Sequence, residues 1–248
     1  MLIVLGALTQ TLVVPLGERL ERRLEIETVR QLERVRRALI GHLVTHGVLP
    51  CPLPPAPSVP SASAPAADAT HAPGSPFVTV LDGIGRSGCA HAEGGVPAAV
   101  LGVAGAVDAR GALLDAWGRA LRYAVSTGRE RSAAHGESRG GAPGIWTAPG
   151  AAREAGLRGL RATLSLCRVA ATEGCPREER RAGALAFVVL SYGADASARD
   201  AQRENLDGDA VYALAPRSSV DGYRFDDALV WASRNELAYW LLRAEWLP

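Results

Sequence analysis

The chain has 248 residues, 48% of them hydrophobic and 21% charged, enough to bury a core in one large domain or two small ones. Its 27 basic residues, all arginine, face 26 acidic ones for a formal net charge of +1. That balance excludes a strong field for nucleic acid or anionic lipid.

Residues 1–16, MLIVLGALTQTLVVPL, are uncharged and mostly apolar, with Thr9, Gln10 and Thr11 as the interruption. A spanning helix takes about 20 such residues, so the run predicts a partial transmembrane helix. It has no basic leader and no small-residue cleavage site, and does not read as a secretory signal peptide. No turn residue separates it from residues 17–50. There Leu20, Leu24, Leu32, Val35, Leu39 and Leu43 recur at near-helical spacing between Glu and Arg. Glu18–Arg22 and Glu33–Arg37 add i,i+4 pairs. The pattern predicts one helix from about residue 2 to about residue 46, ~65 Å long at 1.5 Å per residue. Gly47 offers its cap and Pro50 its stop.

Residues 51–248 read as one globular domain with two flexible loops, 52–76 (Pro, Ala and Ser) and 127–150 (Gly, Arg and Ser). Between them, FVTVL, VPAAVLGV and LRYAVS read as short strands. In the segment LLDAWGRALRYAVS (113–126), Asp115 and Gly118 make a turn around Trp117. Leu121, Tyr123 and Val125 then alternate with Arg122, Ala124 and Ser126, as in a half-buried strand. ALAFVVLSYG (184–193) is a continuous apolar run, hence a central strand covered on both faces. A polar, acidic loop over 194–209 leads to AVYAL and YRFDDALVW, read as strand or short helix. Ser233 and Glu236 form a capping box ahead of Leu237, Trp240, Leu241 and Ala244. No internal repeat is present.

The four cysteines, Cys51, Cys89, Cys167 and Cys175, form no C-x-x-C pair, which speaks against a zinc ribbon or thioredoxin motif. The even count predicts two disulfides and an oxidising compartment, and Cys167 and Cys175 are spaced to close a small loop. Four buried thiols are the alternative.

Other motifs carry less. DGIGRSG (82–88) contains G-x-G-x-x-G, but CAHAEGGVP follows in place of the helix that dinucleotide binding needs. His91-Ala-Glu93 lacks the P-C-x-x-C partner of zinc deaminases. His42 and His46 lie one helical turn apart but have no third ligand in view, and read as solvated side chains. Asn205, Asp207 and Asp209 alternate around Gly208, a pattern that suits a hard cation or an ordinary polar turn. An EF-hand is excluded because its twelfth position is Pro216. No Ser-His-Asp or Cys-His arrangement has motif support, so no catalytic residue is assigned and the chain is not read as an enzyme.

Several of these segments resemble the type IV pilin family, on its pseudopilin side as in type II secretion systems. VVPL (13–16) resembles the proline-containing end of the pilin membrane helix. RQLERVRRALIGHLVTHGVLPCP (30–52) resembles the amphipathic helix with its Gly-x-Leu-Pro-Cys-Pro exit. GGVPAAVLGV (94–103) and DAWGRALRYAVS (115–126) resemble the Asp-x-Trp-Gly turn and the strand that open the pseudopilin sheet. FVVLSYGAD (187–195) resembles the central strand.

The resemblance implies an α+β fold, with a long N-terminal helix packed on a small antiparallel sheet with long loops. Pro15, Asp115, Trp117 and Gly118 are its structural positions. The strand after Trp117 is expected against Val35, Leu39 and Leu43, with Trp117 sealing the turn over that contact. The implied role is a fibre subunit, a minor one given its size and loops, anchored once in the inner membrane with its domain in the periplasm. Its partners would be other pilin or pseudopilin subunits, with no small-molecule substrate and no cofactor. A structural calcium in the loop after the central strand is implied at Asn205, Asp207 and Asp209. The family's leader, its Gly-Phe processing site and the following Glu are not in this sequence. Aligning Pro15 with the family's helix proline leaves about seven to ten residues short of a span, so the start is expected upstream of Met1. The rival reading is an inner-membrane-anchored binding module that does not polymerise and docks through Trp240 and Trp246.

Overall fold

The computed structural model describes residues 2–55, 79–81, 87–126, 144–168, 175–194, 200–218 and 225–248, with backbone alone for 2–16, 79–81, 87 and 200–201. Most of the two expected loops (56–76 and 127–143), the glycines of DGIGRSG up to Arg86, and the side chains of the apolar run with Pro15 lie outside the described residues.

One helix, α1, runs from Leu2 to His46 without a break. Thr28, Gln31, Leu32, Val35, Leu39 and Leu43 are buried, on the stripe that 3.6 residues per turn predicts. Each apolar member contributes about 1.5–3 kcal/mol on burial. Residues 17–23 are exposed, as is Ile26, so α1 leaves the domain one turn above Thr28. At the other end Gly47 takes φ +73° and donates its N–H to the Leu43 carbonyl at 2.8 Å, a glycine cap of the expected kind. Among the described residues no helix is long and apolar enough to cross a membrane.

The remaining elements are β1 (Thr79–Leu81), β2 (Ser87–Cys89), β3 (Glu93–Gly95), α2 (Ala98–Leu101), β4 (Arg122–Val125), α3 (Ala151–Gly159), β5 (Leu164–Cys167), β6 (Arg180–Ser191), α4 (Asp200–Glu204), β7 (Val211–Ala213), β8 (Ala228–Ser233) and α5 (Arg234–Arg243). β1 and β2 form a separate hairpin-like pair, and the other six strands form one sheet. β6 is its spine. The first half pairs antiparallel with β5; the second half lies between β4 and β8, both antiparallel. Ala184, at φ +52°, sits where β6 changes partners. β3 edges β4, and β7 edges β5.

The β5–β7 pairing is parallel. The expectation of an antiparallel sheet is therefore corrected: the fold is α+β with a mixed sheet. The chain returns from β6 through α4 and lays β7 beside β5 rather than beside β6.

Leu121, Tyr123 and Val125 face α1 in the main core with Leu32, Val35, Leu39 and Leu43, together with Phe187 and Val189. Ala124 points to the second face with Val188, Leu190 and Tyr212. Two segments differ from the sequence reading. VPAAVLGV is not a strand: Ala98–Leu101 makes one helical turn, closed by Gly102 at φ +62°, in keeping with the helix propensity of paired alanines. The 194–209 loop contains α4. Within the expected 127–150 loop Trp146 is buried, and its indole N–H donates to the Arg161 carbonyl at 2.7 Å; α3 and β5 follow. Both disulfides are present, Cys51–Cys89 and Cys167–Cys175.

Candidate functional site

The turn at 115–119 is the best-connected of the expected positions. Asp115 is buried, and its Oδ1 accepts the N–H groups of Trp117 (2.9 Å) and Arg119 (2.8 Å). Gly118 completes the reversal at φ +79° and donates to the Asp115 carbonyl at 3.0 Å. The other carboxylate oxygen accepts the Ser191 hydroxyl at 2.6 Å. From α1, Thr28 Oγ1 accepts the Ala116 N–H at 3.2 Å and Gln31 Nε2 donates to the Leu114 carbonyl at 2.7 Å. The turn is thus a three-way joint between helix, turn and the end of β6. Thr28 and Gln31 were legible as polar residues on the apolar stripe; their partners were not.

Trp117, expected to seal the turn over the contact with Val35, Leu39 and Leu43, is not among the residues of that core. It is half-buried and lines a crevice of about 210 Å³ with Glu25, Thr28, Arg217, Phe225 and Asp227, about two turns above the Val35–Leu43 contact. A Glu25–Arg217 ion pair crosses the same crevice.

The acidic loop is built differently from a ligand set of Asn205, Asp207 and Asp209. Asn205 is buried. Its Oδ1 accepts the Ala213 N–H at 2.8 Å, and its Nδ2 donates to the Ala213 carbonyl (3.2 Å) and to Asp227 Oδ2 (2.7 Å). The amide therefore pairs with the outer edge of β7 as a neighbouring strand would. Asp209 Oδ1 accepts the Val211 N–H at 2.6 Å, and Asp207 Oδ1 accepts the Asp209 N–H at 3.1 Å. Side chains thus block the edge of a sheet that would otherwise offer a row of unpaired groups. With its amide committed, Asn205 gives way to Glu204: carboxylate oxygens of Glu204, Asp207 and Asp209 lie within 4.8 Å of one another. All-oxygen donors of this kind suit calcium. The sequence reading missed Glu204 because α4 was not foreseen.

Beside this loop, Arg122 and Glu93 form an ion pair on the second face of the sheet. Arg122 Nη1 donates to Tyr192 Oη at 2.5 Å, and the Tyr212 hydroxyl donates to Glu93 Oε1 at 3.2 Å. Burial alone would lower the pKa of the Arg122 guanidinium, but the neighbouring Glu93 and Tyr192 outweigh it and hold the group above its ordinary value. Burial also pushes the Tyr192 hydroxyl up to about 12. The cleft above, about 440 Å³, is lined by His91, Glu93, Arg110, Arg122, Tyr192 and Gly208 among others. Arg110 is held by Asp108 at 2.6 Å and by the Pro54 carbonyl at 2.7 Å. Among the described residues both guanidinium groups that line the cleft are already paired.

At the far end of α1, Trp246 donates its indole N–H to the Val44 carbonyl at 2.9 Å and lies against Gly47, where an added Cβ would meet the ring at 2.7 Å. Trp246 is half-buried in this internal contact, and Trp240, expected with it to form a docking surface, is 37% exposed. No family model, curated protein or solved structure matches the chain.

Proposed function

We propose that the chain is a fibre-forming, pseudopilin-like subunit whose work is done by packing rather than by catalysis. The observation that carries this reading is the division of α1. From Thr28 onward the helix is buried on the sheet, whereas residues 17–23 and Ile26 stand exposed, with Leu20 at 58% and Ile26 at 52%. The uncharged run of residues 1–16 continues the same helix. A helix of that composition needs an apolar surrounding, which a bilayer and then the helices of neighbouring copies would supply. The three-way joint at Asp115 supports the reading, since it fixes the angle at which the domain sits on α1. The two disulfides accord with a periplasmic domain. On this reading the cations and carboxylates of the second face serve the fold, and Glu204, Asp207 and Asp209 would hold any structural calcium.

The test begins with the protein isolated from its native membranes and its N-terminal residue determined by mass spectrometry. A methylated N-terminus upstream of Met1 supports the fibre subunit. A chain that begins at Met1, and that gives no dimer on oxidation when Leu20→Cys or Ile26→Cys is introduced, overturns it in favour of an anchored module that does not polymerise.

A further inference from the structure

α5 buries Leu237, Ala238 and Leu241 in the main core and turns Tyr239, Trp240 and Leu242 outward, at 53%, 37% and 42% exposure. Tyr239 and Leu242 stand three residues apart and so share one face of the helix. The Tyr239 and Trp240 rings meet edge to face, with centroids 5.3 Å apart and planes at 72°. They enclose a corner rather than a flat patch. Among the described residues neither the Tyr239 hydroxyl nor the Trp240 indole N–H has a hydrogen-bond partner. An indole N–H only donates, so a ligand for this corner has to bring acceptors together with apolar bulk. A polyproline II segment brings both. Its backbone makes no internal hydrogen bonds, its prolines offer carbonyls and no N–H, and segments of this kind dock on aromatic-lined surfaces.

The chain carries such a sequence. Residues 54–60 read PPAPSVP, with Pro54, Pro57 and Pro60 at intervals of three, the repeat that sets prolines along one edge of a polyproline II helix. Pro54 and Pro55 are exposed. The α5 of the same molecule is out of reach. Leu53 bridges Gly95 of β3, and Arg110 holds the Pro54 carbonyl at 2.7 Å. β3 and β8, the strand that runs into α5, flank β4 and β6 on opposite sides, a separation of about 14 Å at the usual strand spacing. Pro57 lies two residues beyond Pro55 and extends only about 6 Å from it.

We propose that the Tyr239–Trp240–Leu242 corner of α5 binds residues 54–60 of a second copy of the chain in polyproline II form, with the indole N–H and the phenol donating to its carbonyls. The contact uses nothing from residues 1–26 of α1, so it stands or falls separately from the fibre reading.

The experiment titrates the full chain, held in detergent, with the synthetic peptide PPAPSVPSA and with AAAASVASA, read by NMR of the indole N–H groups of the five tryptophans. Only the first peptide is expected to bind, moving the Trp240 resonance. Trp240→Ala is expected to weaken binding at least ~10-fold, and Tyr239→Phe, which removes one donor, about 2–10-fold. Both side chains are well exposed, so the variants keep the fold, as circular dichroism checks. Equal binding of the two peptides, or unchanged affinity in Trp240→Ala, overturns the proposal. Mixing Pro57→Cys with Leu242→Cys chains under oxidation is expected to give a mixed disulfide dimer. No mixed dimer overturns the assignment to a second copy.

Discussion

Ser191, the last residue of β6, donates its hydroxyl to Asp115 Oδ2 at 2.6 Å while its own oxygen accepts the Gly193 N–H at 3.2 Å. One buried hydroxyl thereby joins the turn before β4 to the exit of the central strand. Asp115→Ala removes this bond and the two backbone bonds of the turn, and is expected to cost about 2–4 kcal/mol. Ser191→Ala is expected to cost about 1–2 kcal/mol. A double-mutant cycle by urea denaturation should return a coupling of about 1 kcal/mol or more; additivity of the two would mean that the bond contributes nothing to stability.

Gly47 answers two demands at once, a left-handed backbone and the face of Trp246. Gly47→Ala is expected to destabilise by about 2–4 kcal/mol, from strain and overpacking together. In a Trp246→Leu background the overpacking is relieved, and the cost should fall to about 1 kcal/mol. Thermal melts of the four proteins check it, and an equal cost in both backgrounds would remove Trp246 from the explanation.

Asn205→Ala opens the edge of β7, leaving the Ala213 N–H and the Asp227 carboxylate without the amide. A loss of about 2–3 kcal/mol is expected, and it should be the same in EDTA as in calcium, because the amide acts on the backbone and not on an ion. Asp207→Asn, by contrast, should matter only in calcium if the neighbouring carboxylates hold it. A calcium-dependent Asn205→Ala effect would return Asn205 to the ligand set.

Burial raises Tyr192 to about 12 and holds Tyr123, which donates to the Pro50 carbonyl at 3.1 Å, well above the ordinary phenol value. A folded-state pKa above the unfolded value means that the stabilisation is complete below pH ~10 and is lost as pH rises through the folded value. Stability should therefore fall between about pH 10 and pH 12. Tyrosinate absorbance should show Tyr123 and Tyr192 titrating late, with one fewer late tyrosine in Tyr192→Phe. Five normal titrations would contradict the burial.

What could be read from the sequence was what depends on local period. The α1 boundaries, the alternation from Leu121 to Val125, the covered run of β6 and the Ser233 cap, which accepts the Glu236 N–H at 3.2 Å, all rest on neighbours a turn or a residue away. β5 and β7 were not legible as partners, because three- and four-residue strands carry too little pattern to fix register or direction. The same holds for the site. Asp115 and Gly118 announce a turn, but Thr28, Gln31 and Ser191 meet it only through the fold. Asn205 stayed open between a ligand and a turn residue because an amide among carboxylates looks the same whether it faces an ion or a strand edge. Trp146 was hidden in a segment whose composition reads as loop.

Arg36 of α1 bonds Glu236 at 2.5 Å and the Trp231 carbonyl at 2.8 Å, and Trp246 reaches the Val44 carbonyl. Helix α1 is therefore finished by residues made long after it. Until residues 231–246 have emerged, the stripe from Leu32 to Leu43 has only part of its cover, and a chain cut before Ser233 would present that stripe to any protease or chaperone nearby. Emergence of residues 231–246 is in this way recorded in the fold, since only a chain that includes them can hide the stripe of α1.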